Sequence, residues 1–258
     1  MALQSSGAIA LDDIHQEAGG SANSNCTIND ADIRGLIDAS DGANTSFDDW
    51  YGASSFADVG IFSSGNIQNS GAAQTNIERI AIPSTGNSTA FGDLGIVRTK
   101  AAAFANATRY ILAGGHTTSG GAHNASTNTI QYRAVASDAD TQDFGDLADG
   151  VRSHANACGN NTRMIIIGGM FSYNSGEDNI NVIEYITTAN TGNATDFGNT
   201  TAGVQSSGTC NTTTRGIRMG GTNGTSDIIE YVTISSTGNA TNFGSLTRAR
   251  RSPANGVT

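Results

Sequence analysis

Two sets of charged residues recur along the chain at matching distances from the same sequence motifs. The carboxylates are Glu78, Glu184 and Glu230, and the guanidinium groups are Arg109, Arg163 and Arg215. An active site needs its groups once, whereas an architecture built from repeats needs the same groups in every unit. We therefore interpret both sets as a structural ladder between adjacent strands rather than as catalytic groups.

The sequence lacks the common catalytic and cofactor motifs. It contains no Gly-x-Ser-x-Gly, His-Glu-x-x-His, Walker or dinucleotide-binding motif. Asp138, Asp140 and Asp143 have an alternating spacing that could bind calcium, but no glutamate-terminated loop follows, so we interpret them as a solvated turn. We expect a protein that is not an enzyme and that binds neither a metal nor a cofactor.

Four other residues are candidates for ligand-binding loops. His116 and His123 flank a Gly/Ser-rich stretch, and because two histidines seven residues apart lack a third ligand, we interpret them as surface-loop residues rather than a metal site. Phe171 and Tyr173 follow a later glycine pair. Exposed aromatic rings stack well on sugar rings, so we expect these side chains to contact a ligand, with the histidines as polar partners.

These candidates belong to a sequence that is written four times. The copies read "NIERIAIPSTGNSTAFGDL" from Asn76, "NTIQYRAVASDADTQDFGDL" from Asn128, "INVIEYITTANTGNATDFGNT" from Ile180 and "TSDIIEYVTISSTGNATNFGSL" from Thr225. Before each copy, an apolar stretch runs into Gly-Gly, or into Ser64-Gly65 in the first copy. Each unit is therefore predicted to contain a strand, a variable loop, a second strand, a turn and a short strand.

The repeat length predicts an all-β fold with a kelch-like β-propeller of four repeats. The phenylalanines of the last strand, Phe91, Phe144, Phe197 and Phe243, are 53, 53 and 46 residues apart, which matches a propeller blade. Only 15 residues follow Phe243, too few for another unit. We expect "RARRSPANGVT" at the C-terminus to open the sheet that Val59 continues, so that pairing of the chain ends closes the ring. A less regular four-unit solenoid is the alternative.

The first part of the chain differs from the repeats in charge and pattern. Residues 1–58 contain ten acidic residues and one basic residue, whereas the repeats are nearly neutral. We place a small, partly helical module at residues 1–56 and the repeat domain at residues 57–258. Two short helices are predicted. Their apolar residues are too few for a stable core, so we expect them to dock on a partner. These docking residues are Ile33, Leu36, Ile37, Trp50 and Tyr51.

Charge, hydropathy and cysteine usage exclude several classes of protein. A net charge of −10 disfavours binding to nucleic-acid backbones, and no apolar run is long enough for a membrane span. Cys26, Cys158 and Cys210 have no metal-type spacing. We expect a soluble protein with buried free thiols, no contact with nucleic acid and no membrane insertion.

Both parts of the chain resemble structural proteins of tailed phages, especially those of marine bacteria such as cyanophages. The opening module is similar to theirs in "LQSSGAIALDDIHQEAGG", "INDADIRGLI" and "SFDDWYGAS". The repeated "VIEYITT" and "TGNATDFGN" segments resemble kelch-like arrays of the same phages' appendages. Against ordinary kelch repeats, Gly168-Gly169 and Tyr185 are retained, but Phe197 replaces the expected tryptophan and Arg79 replaces the first tyrosine.

The resemblance implies a virion protein assembled in a bacterial cytoplasm. Residues 1–56 would attach the subunit to other virion structural proteins, and the propeller would bind a glycan of the host surface. We expect a homo-oligomeric tail fibre or appendage subunit. A capsid decoration or vertex protein is the alternative, and a polysaccharide-degrading enzyme is a more distant one.

Overall fold

The described part of the chain is an all-β protein made of antiparallel sheets. The structure is a computed structural model, and it describes residues 10–18, 33, 59–65, 74–117, 126–137, 139–150, 152–173, 176–221 and 226–250. It contains four sheets that follow one another along the chain, and a separate two-stranded hairpin. The all-β prediction is therefore confirmed.

Three strands of each sheet occur where the repeats predict them, and the second, third and fourth sheets have a further first strand. The first sheet contains β1 (Val59–Ser63), β2 (Asn76–Ala81) and β3 (Thr89–Asp93). The second contains β4 (Ala102–Ala105), β5 (Arg109–Ala113), β6 (Thr129–Ala134) and β7 (Gln142–Asp146). The third contains β8 (Asn156–Gly159), β9 (Arg163–Ile167), β12 (Val182–Thr187) and β13 (Thr195–Asn199), and β10 (Met170–Tyr173) and β11 (Gly176–Asn179) form the hairpin between β9 and β12. The fourth contains β14 (Gly208–Asn211), β15 (Arg215–Met219), β16 (Ile228–Thr233) and β17 (Thr241–Ser245).

Each four-stranded sheet is a simple up-and-down meander, and the sheets are joined through their first strands. Every strand pairs with the next one of its own sheet, for example β4–β5–β6–β7. Strand β8 contacts β4 on one side and β14 on the other. The segments that connect consecutive sheets, residues 94–101, 147–155 and 200–207, are called crossovers below. The first sheet has only three described strands, because the position of a first strand before β1 lies outside the described residues.

The apolar residues of the repeats form cores between neighbouring sheets. Ile77 and Phe91 of the first sheet pack with Leu112 of the second. Phe144 of the second sheet belongs to one cluster with Met164 and Ile166 of the third, and Phe197 of the third lies with Val232 and Ile234 of the fourth. Because a sheet that packs on both faces must bury both sets of alternating side chains, the central strands are nearly continuously apolar, as in "RMIII" of β9.

Glycine is required where one sheet's backbone lies directly against the next segment. An added Cβ at Gly168, where φ is +58°, would lie 2.3 Å from the carbonyl oxygen of Val204 in the following crossover. An added Cβ at Gly198, where φ is +147°, would lie 2.3 Å from the carbonyl oxygen of Gly238. Heavy atoms never approach that closely, so a side chain at either position would force the two segments apart.

The repeated Asn-containing turns link each sheet to the one before it. The Asn193 side chain accepts a hydrogen bond from the amide of Asp146, and Asn239 accepts one from the amide of Asn199. Asp140 makes the same bond with the amide of Asp93. These bonds show that Asn193, Asn239 and Asp140 belong to structural turns.

The recurring charged residues are structural, but the two sets have different partners. Arg109, Arg163 and Arg215 each lie over the ring of the tyrosine on the next strand, with 4.5–4.6 Å from guanidinium carbon to ring centre. Glu230 pairs with Arg218, its direct neighbour across β15 and β16. Glu184 instead pairs with Arg152 of the preceding crossover, at 2.9 Å from Nη2 to Oε1. A ladder of adjacent strands therefore describes one of these two carboxylates only.

The buried arginine of the second repeat, Arg98, lacks the carboxylate partner that Arg152 has in the third repeat, because a glutamine occupies the position of that glutamate. Arg98 occupies in the second repeat the position of Arg152 and is fully buried, with Nη1 donating to the carbonyls of Gly114 and Thr129 at 2.8 Å. Burial lowers the pKa of Arg98 to about 10, and the charge of Asp143 opposes this shift. The position of Glu184 is taken by Gln131, which is buried and whose Oε1 has no hydrogen-bond partner among the described residues.

We predict that Gln131→Glu raises the stability of the protein at pH 7 by about 1.5 kcal/mol, the scale of a hydrogen bond to a charged group. The new carboxylate would stand at the position from which Glu184 pairs with Arg152, and we expect it to accept a hydrogen bond from Arg98 in the same way. Thermal melts of the variant and the parent at pH 7 check this, and a lower melting temperature of the variant would contradict it.

The acidic N-terminal module is described at one helix and one further residue. Helix α1 spans Leu11–Glu17 and buries Ile14 and Glu17. Ile33 is helical and fully buried, in agreement with a predicted helix around it. The other predicted docking residues, Leu36, Ile37, Trp50 and Tyr51, and the boundary near residue 56 lie outside the described residues.

The thiols are only partly as expected. Cys158 is a buried free thiol whose pKa burial raises to about 12. Cys210 is also free, but it is half-exposed rather than buried. Cys26 lies outside the described residues. A thiol held protonated by burial is inert, so Cys158 is a packing residue, consistent with its place beside Ile165 and Val232.

Candidate functional site

The candidate site lies where the loops after the glycine pairs meet the crossovers. The amide of Gly115 donates to the carbonyl of Arg152, and that of Gly169 donates to the carbonyl of Val204. Further along, His116 forms a two-way backbone bridge with Thr99, and Met170 forms the same bridge with Ser153. These bonds bring loops and crossovers of neighbouring repeats to the same edge of the array.

His116 lies on this edge but is not an exposed loop residue. It is 3% exposed and bridges both Thr99 and Ser126. Its ring meets the ring of His154 edge to face, with centroids 5.6 Å apart. The expectation of a surface histidine was wrong because the loop continues the ladder with the crossover for one more residue and so carries the ring inward. His123, its predicted partner, lies outside the described residues.

Phe171 and Tyr173 belong to a regular hairpin rather than to an irregular loop. Strands β10 and β11 pair antiparallel, with Phe171 opposite Asp178 and Tyr173 opposite Gly176. The Phe171 ring is half-buried and lies 3.8 Å from the Cβ position of Gly150 in the preceding crossover. It is thus partly engaged with the protein itself. The side chain of Tyr173 lies outside the described residues.

Sequence reasoning missed three crossover residues at this edge. Lys100, His154 and Ser206 occupy equivalent positions and all have a left-handed backbone, with φ of 57°, 56° and 50°. The amide of His154 donates to the carbonyl of Lys100, and the amide of Ser206 donates to the carbonyl of His154, both at 3.0 Å. We call these three residues the left-handed row. One signal was visible in the sequence, because Lys100 is its only lysine.

The electrostatic environment of the row is basic. Burial lowers the pKa of His154 to about 4, and the charges of Lys100 and His116 lower it further. His154 is therefore neutral at pH 7, with Nδ1 3.1 Å from the hydroxyl of Ser153. Lys100 is exposed, whereas His154 and Ser206 are half-buried. The described residues contain no group of three metal-ligating side chains.

Comparison with models of protein families and with curated proteins finds no match for the sequence. Among the helical residues that the structure describes, none belong to a helix long and apolar enough to cross a membrane. The function must therefore be inferred from the repeats and from the site.

Proposed function

We propose that this protein is a non-enzymatic structural subunit of a phage virion, of the tail-fibre or appendage type. The acidic module at residues 1–56 docks on the particle, and the repeat domain projects and binds the host surface. The observation that carries this proposal is a contrast within each repeat between residues that recur and residues that vary. The packing residues recur from repeat to repeat, whereas the loops after the glycine pairs and the residues of the left-handed row differ in every repeat, as expected of a scaffold that presents a binding surface.

The same proposal takes the repeat domain to be a four-bladed β-propeller closed by its chain ends. In the first three repeats, the crossover carbonyls of Arg98, Arg152 and Val204 accept the amides of Gly65, Gly115 and Gly169. Arg250 stands at the equivalent position after the fourth repeat, and its carbonyl accepts the amide of Gly221. The chain therefore leaves the fourth sheet along the path that elsewhere leads into the next sheet. Residues 251–258 would follow it to pair with β1.

The exposed apolar side chains of the first and fourth sheets also support closure. Phe62 is 57%, Ile82 64% and Phe243 53% exposed. Their counterparts in other repeats are buried: Leu112 and Ile166 for Phe62, Ile234 for Ile82, and Phe144 and Phe197 for Phe243. Leu112 and Ile234 face the preceding sheet, and Phe144 and Phe197 face the following one. Phe62 and Ile82 on one side and Phe243 on the other are thus the two halves of one further interface.

The fourth repeat also retains residues whose partner in the first repeat would be met only in a ring. Gly145 and Gly198 are glycines because the turn of the following repeat lies against them, within 2.5 Å of an added Cβ. Gly244 has the same φ of about 150°, yet nothing lies within 4 Å of its Cβ position. The equivalent turn is 85–88 of the first repeat, where Asn87 corresponds to Asn193 and Asn239. Closure would place that turn on Gly244.

The proposal predicts that the two parts of the chain have separable roles. A fragment of residues 57–258 should fold, stay soluble and bind isolated envelopes of the host, but should be absent from purified particles. Full-length protein with Trp50→Ala and Tyr51→Ala should likewise fail to enter particles, whereas Arg248→Asn, a change at an exposed cation of the head, should enter normally. Quantitative immunoblotting of particles produced with each variant measures this.

Two results would redirect the proposal. Particles that incorporate the 57–258 fragment would show that the head contains the anchor, so that the roles of the two parts are reversed. Localisation of the full-length subunit on the capsid instead of the tail, combined with no binding to host envelopes, would favour a decoration or vertex protein. Release of reducing sugar from host polysaccharide would favour the enzyme.

A further inference from the structure

Two side chains of the left-handed row, Lys100 and Ser206, are not explained by its backbone. A left-handed backbone favours glycine and, after it, asparagine, aspartate and histidine, because other side chains meet a steric cost there. This chain uses glycine at most of its positive-φ positions. At these three positions it instead has lysine, histidine and serine, although the backbone hydrogen bonds of the row need no side chain. A role for the side chains themselves would explain their presence.

The choice of lysine is the most informative of the three. Lys100 is the only lysine among the 13 basic residues of a chain with net charge −10, and it is exposed. Arg109, Arg163 and Arg215 lie over tyrosine rings, and Arg98, Arg152 and Arg218 are buried with hydrogen-bonded partners. Lys100 is thus a compact, hydrated cation at a position where the fold does not require a charge.

The surroundings of Lys100 add further polar side chains to the row. His154 is bonded to it through the backbone, and His116 meets the His154 ring edge to face at 5.6 Å. The Ser153 hydroxyl lies 3.1 Å from His154 Nδ1. Burial and then the charges of Lys100 and His116 lower the pKa of His154, so the Lys100 cation acts on the His154 ring.

We propose that Lys100, His154 and Ser206, with His116 beside them, form a binding site for one oxyanion, a carboxylate, phosphate or sulfate group carried by a host-surface polysaccharide. Lys100 supplies the attraction and His154 and Ser206 supply hydrogen-bond donors. The backbone bonds of the row hold these side chains in register, so little ordering is needed when the anion binds. This inference rests on the proposed attachment function and names the chemical class of the ligand.

The direct test uses the full-length protein and small anions. Histidine side-chain NMR spectra recorded during titration with inorganic phosphate, sulfate and acetate should show saturable shifts of His154 and His116. Lys100→Asn should weaken binding about tenfold or more, the effect of losing one charged hydrogen bond. Asparagine tolerates a left-handed backbone, so this variant should keep its fold. The control Arg248→Asn removes an equal charge elsewhere and should bind as the parent does.

Equal weakening of anion binding by Lys100→Asn and Arg248→Asn would overturn the site, because it would show that the anion responds only to the net charge of the protein. Unsaturable shifts or none would overturn it as well. A second variant, His154→Asn, should weaken binding while it preserves the melting temperature to within a few degrees. If it binds phosphate as the parent does, the row is not the site.

A second arm separates this inference from the attachment function. Surface plasmon resonance of the parent should detect a polyuronate or a sulfated dextran but not neutral dextran, and Lys100→Asn should lose that signal. Host envelopes bound equally by the parent and by Lys100→Asn would overturn the oxyanion site and leave attachment standing. Phosphate binding without any binding to envelopes would overturn attachment and leave the site.

Discussion

Removal of residues 251–258 is expected to abolish the cooperative unfolding of the repeat domain. In a closed ring these residues supply the strand before β1, and their loss would leave the first sheet with an unpaired edge and with Phe62 and Ile82 in solvent. Four equal interfaces would become three. We expect a broad transition and a melting temperature lower by ten degrees or more, on the scale of about 2–4 °C for each kcal/mol lost. Calorimetry of the full chain and of the 1–250 variant measures this.

Three glycine variants distinguish closure from an open array without removal of any strand. Gly198→Ala suffers both a left-handed φ and a clash with Gly238, whereas Gly238→Ala suffers the unfavourable φ of +158° alone. Gly244→Ala has only unfavourable φ in an open array, but also a clash in a closed ring. Closure therefore predicts that Gly244→Ala costs as much as Gly198→Ala, about 1–3 kcal/mol more than Gly238→Ala.

The closure hypothesis fails on either of two results. One is a Gly244→Ala variant whose melting temperature equals that of Gly238→Ala rather than that of Gly198→Ala. The other is a 1–250 variant whose transition is as sharp and as high as that of the parent. In that case the exposed faces of the first and fourth sheets would belong to the open solenoid that the repeat spacing also allows.

Glu184→Gln is expected to destabilise the protein by about 3–5 kcal/mol, the cost of a buried charge deprived of its partner. Arg152 and Glu184 are 0% and 1% exposed. The Glu184 carboxylate also accepts the amide of Asp149 at 2.7 Å, so it holds the crossover against the third sheet. Burial raises its pKa while the charge of Arg152 and the bonds to the crossover lower it. Chemical denaturation at pH 7 measures the loss.

The control is a double substitution that removes both charges. Arg152→Met with Glu184→Leu leaves no buried charge without a partner, so it should recover most of the stability lost by Glu184→Gln. Asp196→Asn, at an exposed residue of β13, should have little effect. If Glu184→Gln behaves like Asp196→Asn, the pair contributes nothing to stability and the carboxylate must have been retained for another reason.

Much of the scaffold was predictable because the strands and turns of each repeat are specified by residues close together in the sequence. The spacing of Ile183 and Phe197 places two strands and the turn between them, and the same spacing holds in every repeat. Glycine pairs marked the ends of β5, β9 and β15 because only glycine combines positive φ with close approach of a crossover. Local sequence is sufficient for such features, since they depend on steric rules and on alternation of side chains.

The candidate site was less predictable, because its residues meet only through contacts between repeats. The sequence by itself determined an all-β fold of four repeats, three strands of each repeat and the structural nature of Glu184, Glu230 and the recurring arginines. Only the tertiary structure decided that His116 turns inward, that "MFSYNSGED" forms a hairpin and that Lys100, His154 and Ser206 form one row. The physical reason for the row is that backbone bonds between segments about 50 residues apart fix its positions. His116 and the hairpin depend on shorter backbone pairings, and none of these bonds leaves a local periodicity in the sequence.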